Sequence, residues 1–261
     1  MYNKFINREK EMATLDREYT SENSSFVVIY GRRRTGKTTL IKEFIRNKKA
    51  IFFLGDTQTE YNQINSMKNT LADYYNDSFI KNISITTWES LFNYLKNKIE
   101  ENTILVIDEF QYLVKGNKAF ASIFNKFWEG IFKEKKIMVI ICGSLIGMMY
   151  EAALSYSSPL YGRRTAQINL KPIDFYYYSE FYHNISINNL IRLYAITGGI
   201  PKYIEHFKYY GDDIFQGIKE RILDNDALLY AEPKFLLQEE VNDTSTYFTL
   251  LKIISEGESK I

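Results

Sequence analysis

The sequence has few of the features that mark secreted or membrane proteins. It contains one cysteine, Cys142, so the chain cannot form an internal disulfide framework. No apolar run approaches the roughly 20 residues that a membrane-spanning helix needs, and the opening residues MYNKFINREKEM lack the apolar core of a signal peptide. We therefore expect a cytoplasmic protein without a membrane partner. Cys142 lies in the apolar run IMVIICGS, which predicts a buried small side chain and not a nucleophile.

The sequence also has little net charge. Its 33 basic and 32 acidic residues give a net charge of +1, so no overall field would attract nucleic acid or a membrane surface. Any basic surface must be local. With 45% hydrophobic and 25% charged residues, the chain of 261 residues has the composition of a folded protein and could form one large domain or one and a half.

Five short apolar runs rich in β-branched residues alternate with longer amphipathic stretches up to about residue 170. Runs that are apolar on both faces are typical of parallel strands covered by helices. The alternation therefore predicts an α/β fold, with a three-layer α/β/α core around a parallel five-stranded sheet. The predicted strands are Phe26–Tyr30, Ile51–Leu54, Ile104–Ile107, Ile137–Ile141 and Ala166–Leu170. The helices predicted between them are Thr38–Arg46, Gln58–Tyr75, Thr87–Lys98 and Lys118–Phe132.

Beyond Leu170 the strand pattern stops, and Pro172 marks the change. The remaining sequence predicts short helices at Asp174–Tyr182, Ile187–Ile196, Pro201–Phe207, Asp212–Asp224, Pro233–Asp243 and Ser245–Ser255. We therefore predict a core domain over residues 1–171 and an all-helical subdomain over residues 172–243. The last segment, residues 244–261, ends just after an amphipathic helix, which predicts the start of a further, truncated module.

Between the first predicted strand and helix, the segment GRRRTGKT fits the pattern G-x-x-x-x-G-K-[ST] of a phosphate-binding loop. Gly31 and Gly36 allow backbone angles that aim successive N–H groups at a phosphate, and the helix N-terminus adds positive partial charge. Lys37 is expected to reach the β- and γ-phosphates of ATP, and the Thr38 hydroxyl to ligate Mg²⁺. The expected nucleotide contacts are Gly31, Arg32, Arg33, Arg34, Thr35, Gly36, Lys37, Thr38 and Thr39.

The three arginines in the variable part of this loop have two interpretations. Arg32, Arg33 and Arg34 are solvent-exposed loop residues, or one of them neutralises phosphate or pairs with a neighbouring element.

Two carboxylates, Asp108 and Glu109, follow the apolar run ILVI. Ligands of open α/β sheets bind beyond the carboxyl ends of the strands, where the phosphate loop also lies. We expect Asp108 to hold Mg²⁺ through water and Glu109 to polarise the attacking water as a general base. Together with the loop, the pair predicts a P-loop NTPase that binds ATP and Mg²⁺.

Three further polar residues are candidates for the same edge of the sheet. Ser144 follows the run IMVIICG, where its hydroxyl could bond the γ-phosphate or water, or belong to an ordinary Gly-Ser turn. Arg163 and Arg164 precede the fifth predicted strand. An arginine that reaches a γ-phosphate accelerates hydrolysis by orders of magnitude, but simple surface charge explains the pair equally well.

The order of these segments resembles that of the archaeal-type ATPase family, within the AAA-like and STAND NTPases. The start FINREKEMATL is similar to that family's F-x-x-R-E-x-E-x-x-x-L pattern, although by itself it reads as an amphipathic helix capped near Asn7. LVIDEFQYL, GSLIGMM, PLYGRRT and LKPIDF follow in the family's order, and GGIPKYI (198–204) looks like its G-x-P segment. By itself, GGIPKYI reads as a helix-ending glycine followed by a proline that starts the next helix.

The resemblance implies several features that the residues alone do not give. The strand of the acidic pair would not be adjacent to the phosphate-loop strand. The helical subdomain would be a lid, with Pro201 in its G-x-P turn near the nucleotide. Such proteins often continue into a winged helix, so residues 244–261 would begin one, and an association with DNA through that missing domain is in doubt for this chain.

Three functions remain open at this point. The leading one is an ATP-driven switch, whose nucleotide state is read by an unknown protein partner or a C-terminal output module. The second is a constitutive nucleic-acid ATPase motor, which predicts oligomerisation and which DNA-stimulated turnover would distinguish. A nucleotide-dependent oligomer is one expected partner state. The third is a small-molecule kinase, which a phosphorylated product would establish.

The first prediction concerns Pro201. Proline biases the residue before it away from helical angles and so fixes a break between two helices. If the lid senses nucleotide through this break, Pro201→Ala lowers ATP affinity while the core stays folded. If the proline is only structural, the variant loses about 0.4–1 kcal/mol of stability and keeps its affinity. Isothermal titration with ATP and thermal unfolding of the same variant separate the two results.

Overall fold

The computed structural model describes residues 5–132, 135–182, 184–241 and 243–257. The chain divides into two compact units, with the boundaries between Asn7 and Arg8 and between Lys171 and Pro172. Within the described ranges no helix is both long and apolar enough to cross a membrane. That the unit after Lys171 contains a lid and the start of a further module remains a prediction.

The unit that begins at Arg8 contains five strands and eight helices in the ranges described. The strands are β1 (Ser25–Tyr30), β2 (Ala50–Leu54), β3 (Ile104–Asp108), β4 (Met138–Gly143) and β5 (Ala166–Asn169). The helices are α1 (Glu9–Thr20), α2 (Lys37–Ile45), α3 (Glu60–Tyr75), α4 (Ser78–Asn82), α5 (Trp88–Lys98), α6 (Phe110–Gly116), α7 (Phe120–Phe127) and α8 (Ile146–Met149). Wider, π-helical turns continue α7 over Trp128–Phe132 and α8 over Tyr150–Leu154.

The five strands form one sheet in the order β2-β3-β4-β1-β5, and every neighbouring pair is parallel. The predicted α/β fold class with a parallel five-stranded sheet is therefore confirmed. Because β4 lies between β1 and β3, the strand that ends in the acidic pair is not adjacent to the strand that precedes the phosphate loop. The residues of β3 and β4 are buried throughout, as expected for strands covered on both faces.

The helices differ from prediction mainly where they are short. α4, α6 and α8 have seven residues or fewer, too few for a helical period to stand out in a sequence. α5 agrees with prediction: Trp88, Leu91, Phe92 and Leu95 are buried on one face. The Thr87 hydroxyl accepts a hydrogen bond from the Ser90 N–H and caps this helix. The cap expected near Asn7 differs, since Arg8 takes the capping position of α1 without a side-chain capping bond.

The unit that follows Lys171 is helical throughout its described residues. Its helices are α9 (Phe175–Tyr178), α10 (Ile187–Thr197), α11 (Pro201–Phe207), α12 (Ile214–Ile218), α13 (Glu232–Glu240) and α14 (Thr244–Ser255). A 3₁₀ turn extends α9 over Ser179–Phe181, and a π-helical turn extends α12 over Lys219–Leu223. Its core contains the buried side chains of Tyr178, Leu193, Ile204 and Phe207.

A two-glycine turn joins α10 to α11. Gly198 ends α10 in a left-handed conformation with φ of 56°, and Gly199 follows with φ of 69°. The Gly199 carbonyl accepts a hydrogen bond of 2.8 Å from the Ile173 N–H. A Cβ on Gly199 would lie 2.2 Å from the Ile173 carbonyl oxygen, whereas nothing lies within 4 Å of a Cβ on Gly198. The turn is thus fixed to the residue that follows Pro172.

The second prediction compares these two glycines by substitution. Gly198→Ala introduces only the cost of a left-handed alanine, about 1–2 kcal/mol. Gly199→Ala has the same backbone cost and also forces its Cβ against a backbone oxygen. That clash should lower the stability of the protein by a further amount of about 1–3 kcal/mol. Urea unfolding followed by circular dichroism should give a clearly lower midpoint for Gly199→Ala. Equal midpoints would contradict the contact with Ile173.

Candidate functional site

The phosphate loop leaves the carboxyl end of β1 and enters α2. Gly31 begins the loop, and a Cβ there would lie 2.4 Å from the Leu170 carbonyl oxygen, so only glycine fits. Leu170 follows β5 and donates a hydrogen bond of 2.7 Å from its N–H to the Tyr30 carbonyl. Gly36, at the N-terminus of α2, has φ of 92°. Both glycines therefore hold backbone conformations that other residues rarely adopt.

Lys37, the first residue of α2, is 6% exposed. Its Nζ donates hydrogen bonds of 2.9 Å to the carbonyl oxygens of Gly31 and Arg32. Burial lowers the pKa of Lys37, while the charges of Glu109 and Asp108 oppose that shift. The ammonium group thus lies within the curve of the loop, close to both members of the acidic pair.

Thr38 and Asp108, the two predicted Mg²⁺ ligands, are brought together across β4. Thr38 Oγ1 donates a hydrogen bond of 2.7 Å to Asp108 Oδ2, and Asp108 Oδ1 accepts one of 2.9 Å from the Glu109 N–H. Hydroxyl and carboxylate oxygens suit Mg²⁺, which usually keeps several waters and takes other ligands from substrate phosphates. The described residues contain no cluster of three or more His, Cys, Asp or Glu that could hold a metal by themselves. The hydroxyl of Thr38 and the carboxylate of Asp108 fit a magnesium ion whose other ligands are water and nucleotide phosphates.

Glu109 precedes α6 in a left-handed backbone conformation, with φ of 52° and ψ of 43°. Non-glycine residues hold such angles at an energetic cost, which is often found at functional sites. Its Oε2 accepts hydrogen bonds from Ser144 Oγ at 2.8 Å and from Gln111 Nε2 at 2.5 Å. The Ser144 hydroxyl, expected to face phosphate or water, is thus placed against the carboxylate of Glu109.

The remaining loop residues differ in exposure. Arg32 and Thr39 are exposed, whereas Arg33 and Arg34 are partly buried. Thr35 is fully buried, and its Oγ1 donates a hydrogen bond of 2.9 Å to the Arg32 carbonyl. The interpretation as exposed loop residues therefore describes Arg32 and not its two neighbours.

The paired arginines before β5 have other contacts. Arg163 Nε lies 3.1 Å from Glu129 Oε1 and 3.3 Å from Asn125 Oδ1, on α7 and its extension. The Arg164 guanidinium lies over the Tyr161 ring, 5.7 Å from its centroid. None of these contacts involves a phosphate-loop residue, so the contacts favour a structural role for Arg163.

Sequence reasoning placed Arg8 in an amphipathic helix and in the start pattern of the family that the chain resembles, but gave it no contact. It is 5% exposed, and its Nη2 donates hydrogen bonds to the Thr35 carbonyl at 3.1 Å and the Lys171 carbonyl at 2.9 Å. Its Nη1 also lies 3.6 Å from Glu11 Oε1. Arg8 therefore ties the phosphate loop to the segment that follows β5. The arginine–glutamate pattern at the start of the chain is the sequence feature that marks Arg8, but this pattern does not predict which carbonyl groups Arg8 contacts.

Gln111 and Cys142 complete the surroundings of the acidic pair. Gln111, which sequence reasoning also missed, is fully buried on α6. Cys142 is buried on β4, as predicted. Burial raises the pKa of the Cys142 thiol well above its ordinary value, and the neighbouring Asp108 raises it further. The thiol is therefore not an activated nucleophile. Pro201 begins α11 in the other unit, and its role near nucleotide remains a prediction.

A phosphate loop followed by a buried strand that ends in Asp-Glu, two strands away in a parallel sheet, defines the class of P-loop ATPases. The chain belongs to the family described as an ATPase domain predominantly from Archaea, whose sequence profile matches residues 5–207.

Relatives and solved structures agree with that membership. The chain is 35% identical over 256 residues to the uncharacterized protein MJECL04 of Methanocaldococcus jannaschii, covering 97% of this chain and 54% of the relative. It therefore spans about half the length of that relative. It is also 47% identical over 45 residues to the uncharacterized ATP-binding protein MJ0423 of the same organism, covering 17% of this chain and 76% of the relative.

Among solved structures, the Walker-type ATPase PABY2304 of Pyrococcus abyssi matches with a TM-score of 0.63 at 20% identity, over 83% of this chain and 71% of that one. The RuvB branch migration motor of Thermotoga maritima matches with a TM-score of 0.52 at 15% identity, over 86% and 72%. At these identities the likeness concerns the fold.

The third prediction tests the Arg8 contacts. Arg8→Met keeps the length of the side chain but leaves the buried Thr35 carbonyl and the partly buried Lys171 carbonyl without this donor, which should cost about 1–3 kcal/mol of stability. Because one of those oxygens belongs to Thr35, the variant should also bind ATP more weakly. The measurements are thermal unfolding and ATP titration. Arg17→Met, on the exposed face of the helix α1 that Arg8 precedes, is the matched control, since 70% of the Arg17 side chain is accessible. It should resemble the unchanged protein in both measurements.

Proposed function

We propose that this protein binds Mg²⁺-ATP and hydrolyses it to ADP and phosphate, and that it uses the bound nucleotide as a switch in the cytoplasm. The observation that carries the proposal is the hydrogen bond between Thr38 and Asp108 beside buried Lys37. It brings a hydroxyl, a carboxylate and a cation to one point at the end of the sheet. Family membership supports ATP as the nucleotide.

The loop residues would bind the phosphates. Gly31 and Gly36 allow the backbone N–H groups to converge on an anion, and the N-terminus of α2 adds positive partial charge. Lys37 Nζ would exchange the carbonyl oxygens of Gly31 and Arg32 for phosphate oxygens. A phosphate oxygen adds a charge–charge attraction to the hydrogen bond that a neutral carbonyl oxygen does not provide, so the exchange favours the bound state.

Thr38 and Asp108 would hold Mg²⁺, the first directly and the second through water. When bound, the metal would neutralise charge on the β- and γ-phosphates. Asp108 is already oriented by the Thr38 hydroxyl and the Glu109 N–H, so little rearrangement is needed to receive the metal. Ser144 and Arg164 remain candidates for contact with the γ-phosphate, whereas the contacts of Arg163 with Glu129 and Asn125 favour a structural role over the predicted catalytic one.

Glu109 would act as the general base. Its carboxylate would accept a proton from water as the water attacks the γ-phosphorus, and ADP would leave with the electrons of the broken P–O bond. The strained backbone angles of Glu109 and the two donors on its Oε2 support this role, since a base must be held within hydrogen-bond reach of its proton.

The output of the switch would be read by another protein or by a C-terminal module. ATP-dependent oligomerisation is one form that this output would take.

A nucleic-acid motor is the second candidate, because fold neighbours include the Drosophila ORC bound to DNA, with a TM-score of 0.60 at 12% identity. The net charge of +1 gives that candidate no electrostatic support. Turnover that rises on addition of duplex DNA would favour the motor over the switch.

The fourth prediction separates binding from hydrolysis with three variants. Glu109→Gln should bind Mg²⁺-ATP normally and lower kcat by about 10²-fold or more, because an amide cannot take the proton. Asp108→Asn should instead raise the Mg²⁺ concentration needed for turnover. Lys37→Ala should lose ATP affinity by roughly tenfold or more, since bonds to charged groups are worth about 1.5–3 kcal/mol. The measurements are phosphate release against Mg²⁺ and nucleotide titration.

Different outcomes would contradict the prediction for different variants. Unchanged turnover in Glu109→Gln would remove that residue as the base while leaving the binding site intact. Near-normal ATP affinity in a folded Lys37→Ala protein would overturn the site itself. Circular dichroism on all three variants controls for folding.

A further inference from the structure

Gln111 lies two residues after Glu109, on the first turn of α6. It is fully buried, and its Nε2 donates a hydrogen bond of 2.5 Å to Glu109 Oε2. Ser144 Oγ donates to the same oxygen from the segment after β4. Two donors from different elements therefore hold one oxygen of the carboxylate, and neither donor is in the phosphate loop.

The amide of Gln111 has a fixed position. It packs on the backbone of Gly143, the last residue of β4, where an added Cβ would lie 2.3 Å from Gln111 Oε1. That Cβ would also lie 2.4 Å from Met149 Sδ, so the space is closed on both sides. A buried amide in such a place is held by packing and not by solvent.

This placement has an energetic cost. Among the described residues, Gln111 Oε1 is buried without a hydrogen-bond partner, and such an acceptor costs about 1–3 kcal/mol. A methionine of similar shape would fill the space without that cost. A role for the donor half of the amide explains why glutamine occupies the position.

We propose that Gln111 is a positioning residue for the base Glu109, an inference that rests on the proposed hydrolysis. The Glu109 side chain has three rotatable bonds and is only partly buried, so hydrogen-bond partners are needed to hold its carboxylate in one place. Gln111 and Ser144 hold Oε2 from two sides. The other oxygen, Oε1, is then the one that takes the proton from water.

The fifth prediction is a split between kcat and KM in Gln111→Met. Removal of one donor lets the carboxylate move, and misplacement of a reacting group by about 1 Å can cost about 10²-fold in rate. We expect kcat to fall by about 10- to 100-fold and KM for ATP to change by less than about twofold, because no phosphate contact is touched. Steady-state phosphate release and ATP-analogue titration give the two values.

Gln63→Met is the matched control. Gln63 is 1% exposed, its Nε2 donates to the carbonyls of Asp56 and Tyr112, and its Oε1 also lacks a partner in the described residues. The Gln63→Met variant therefore removes an equally buried amide, which contacts α6 but does not contact Glu109. Its stability should change, while its kcat should stay at the unchanged protein's value. An equal fall of kcat in both variants would show that Gln111 acts through general packing and would overturn the proposal.

A double-mutant cycle provides a measure that does not depend on stability. If Gln111 acts through Glu109, adding Gln111→Met to Glu109→Gln should lower the single-turnover rate no further. Additive losses would overturn the positioning role. If Glu109→Gln is slow and Gln111→Met alone keeps full kcat, this inference fails and the proposed hydrolysis stands. If Glu109→Gln turns over normally, the assignment of Glu109 as the base and this inference fail together, while hydrolysis itself stands.

Discussion

The hydrogen bond between Thr38 and Asp108 depends on a constraint of the whole sheet. β1 and β3 are separated by β4, so Asp108 at the end of β3 and the loop after β1 can meet only if all three strands run parallel and end at the same level. The register of β4 with both neighbours provides this alignment. Asp108 then reaches Thr38 at 2.7 Å over the end of the intervening strand.

That arrangement concentrates charge where little solvent is present. Lys37 and Asp108 are both almost fully buried, and burial lowers the pKa of Lys37 while the two carboxylates nearby counteract the shift. Unpaired charges in such surroundings are costly, whereas partnered ones are tolerated. An incoming polyphosphate would therefore meet dipoles and charges that are already oriented, which is the condition for strong electrostatic stabilisation.

The surrounding structure holds these groups with few close contacts. Gly31 lets the loop approach the segment after β5, Arg8 ties Thr35 to that same segment, and Gln111 holds Glu109 from α6. The contacts of Gly31 and Arg8 join residues that are far apart in sequence. The contact of Gln111 places a buried amide beside the carboxylate of Glu109. Substitutions at Arg8 and Gln111 would act on the site without touching a nucleotide.

The sequence by itself determined the fold class, the strand positions to within one or two residues, and the motif residues from Gly31 to Thr38 and Asp108–Glu109. Local patterns carry that information, because buried strands must be apolar on both faces and a tight anion-binding loop requires glycine at given places. Only the tertiary structure decided the partners of Arg8, Ser144 and Gln111. Hydrogen bonds between distant segments depend on register and side-chain direction, which no local pattern records. The same limit applies to α4, α6 and α8, whose few residues are held by packing on the core and not by a helical period of their own.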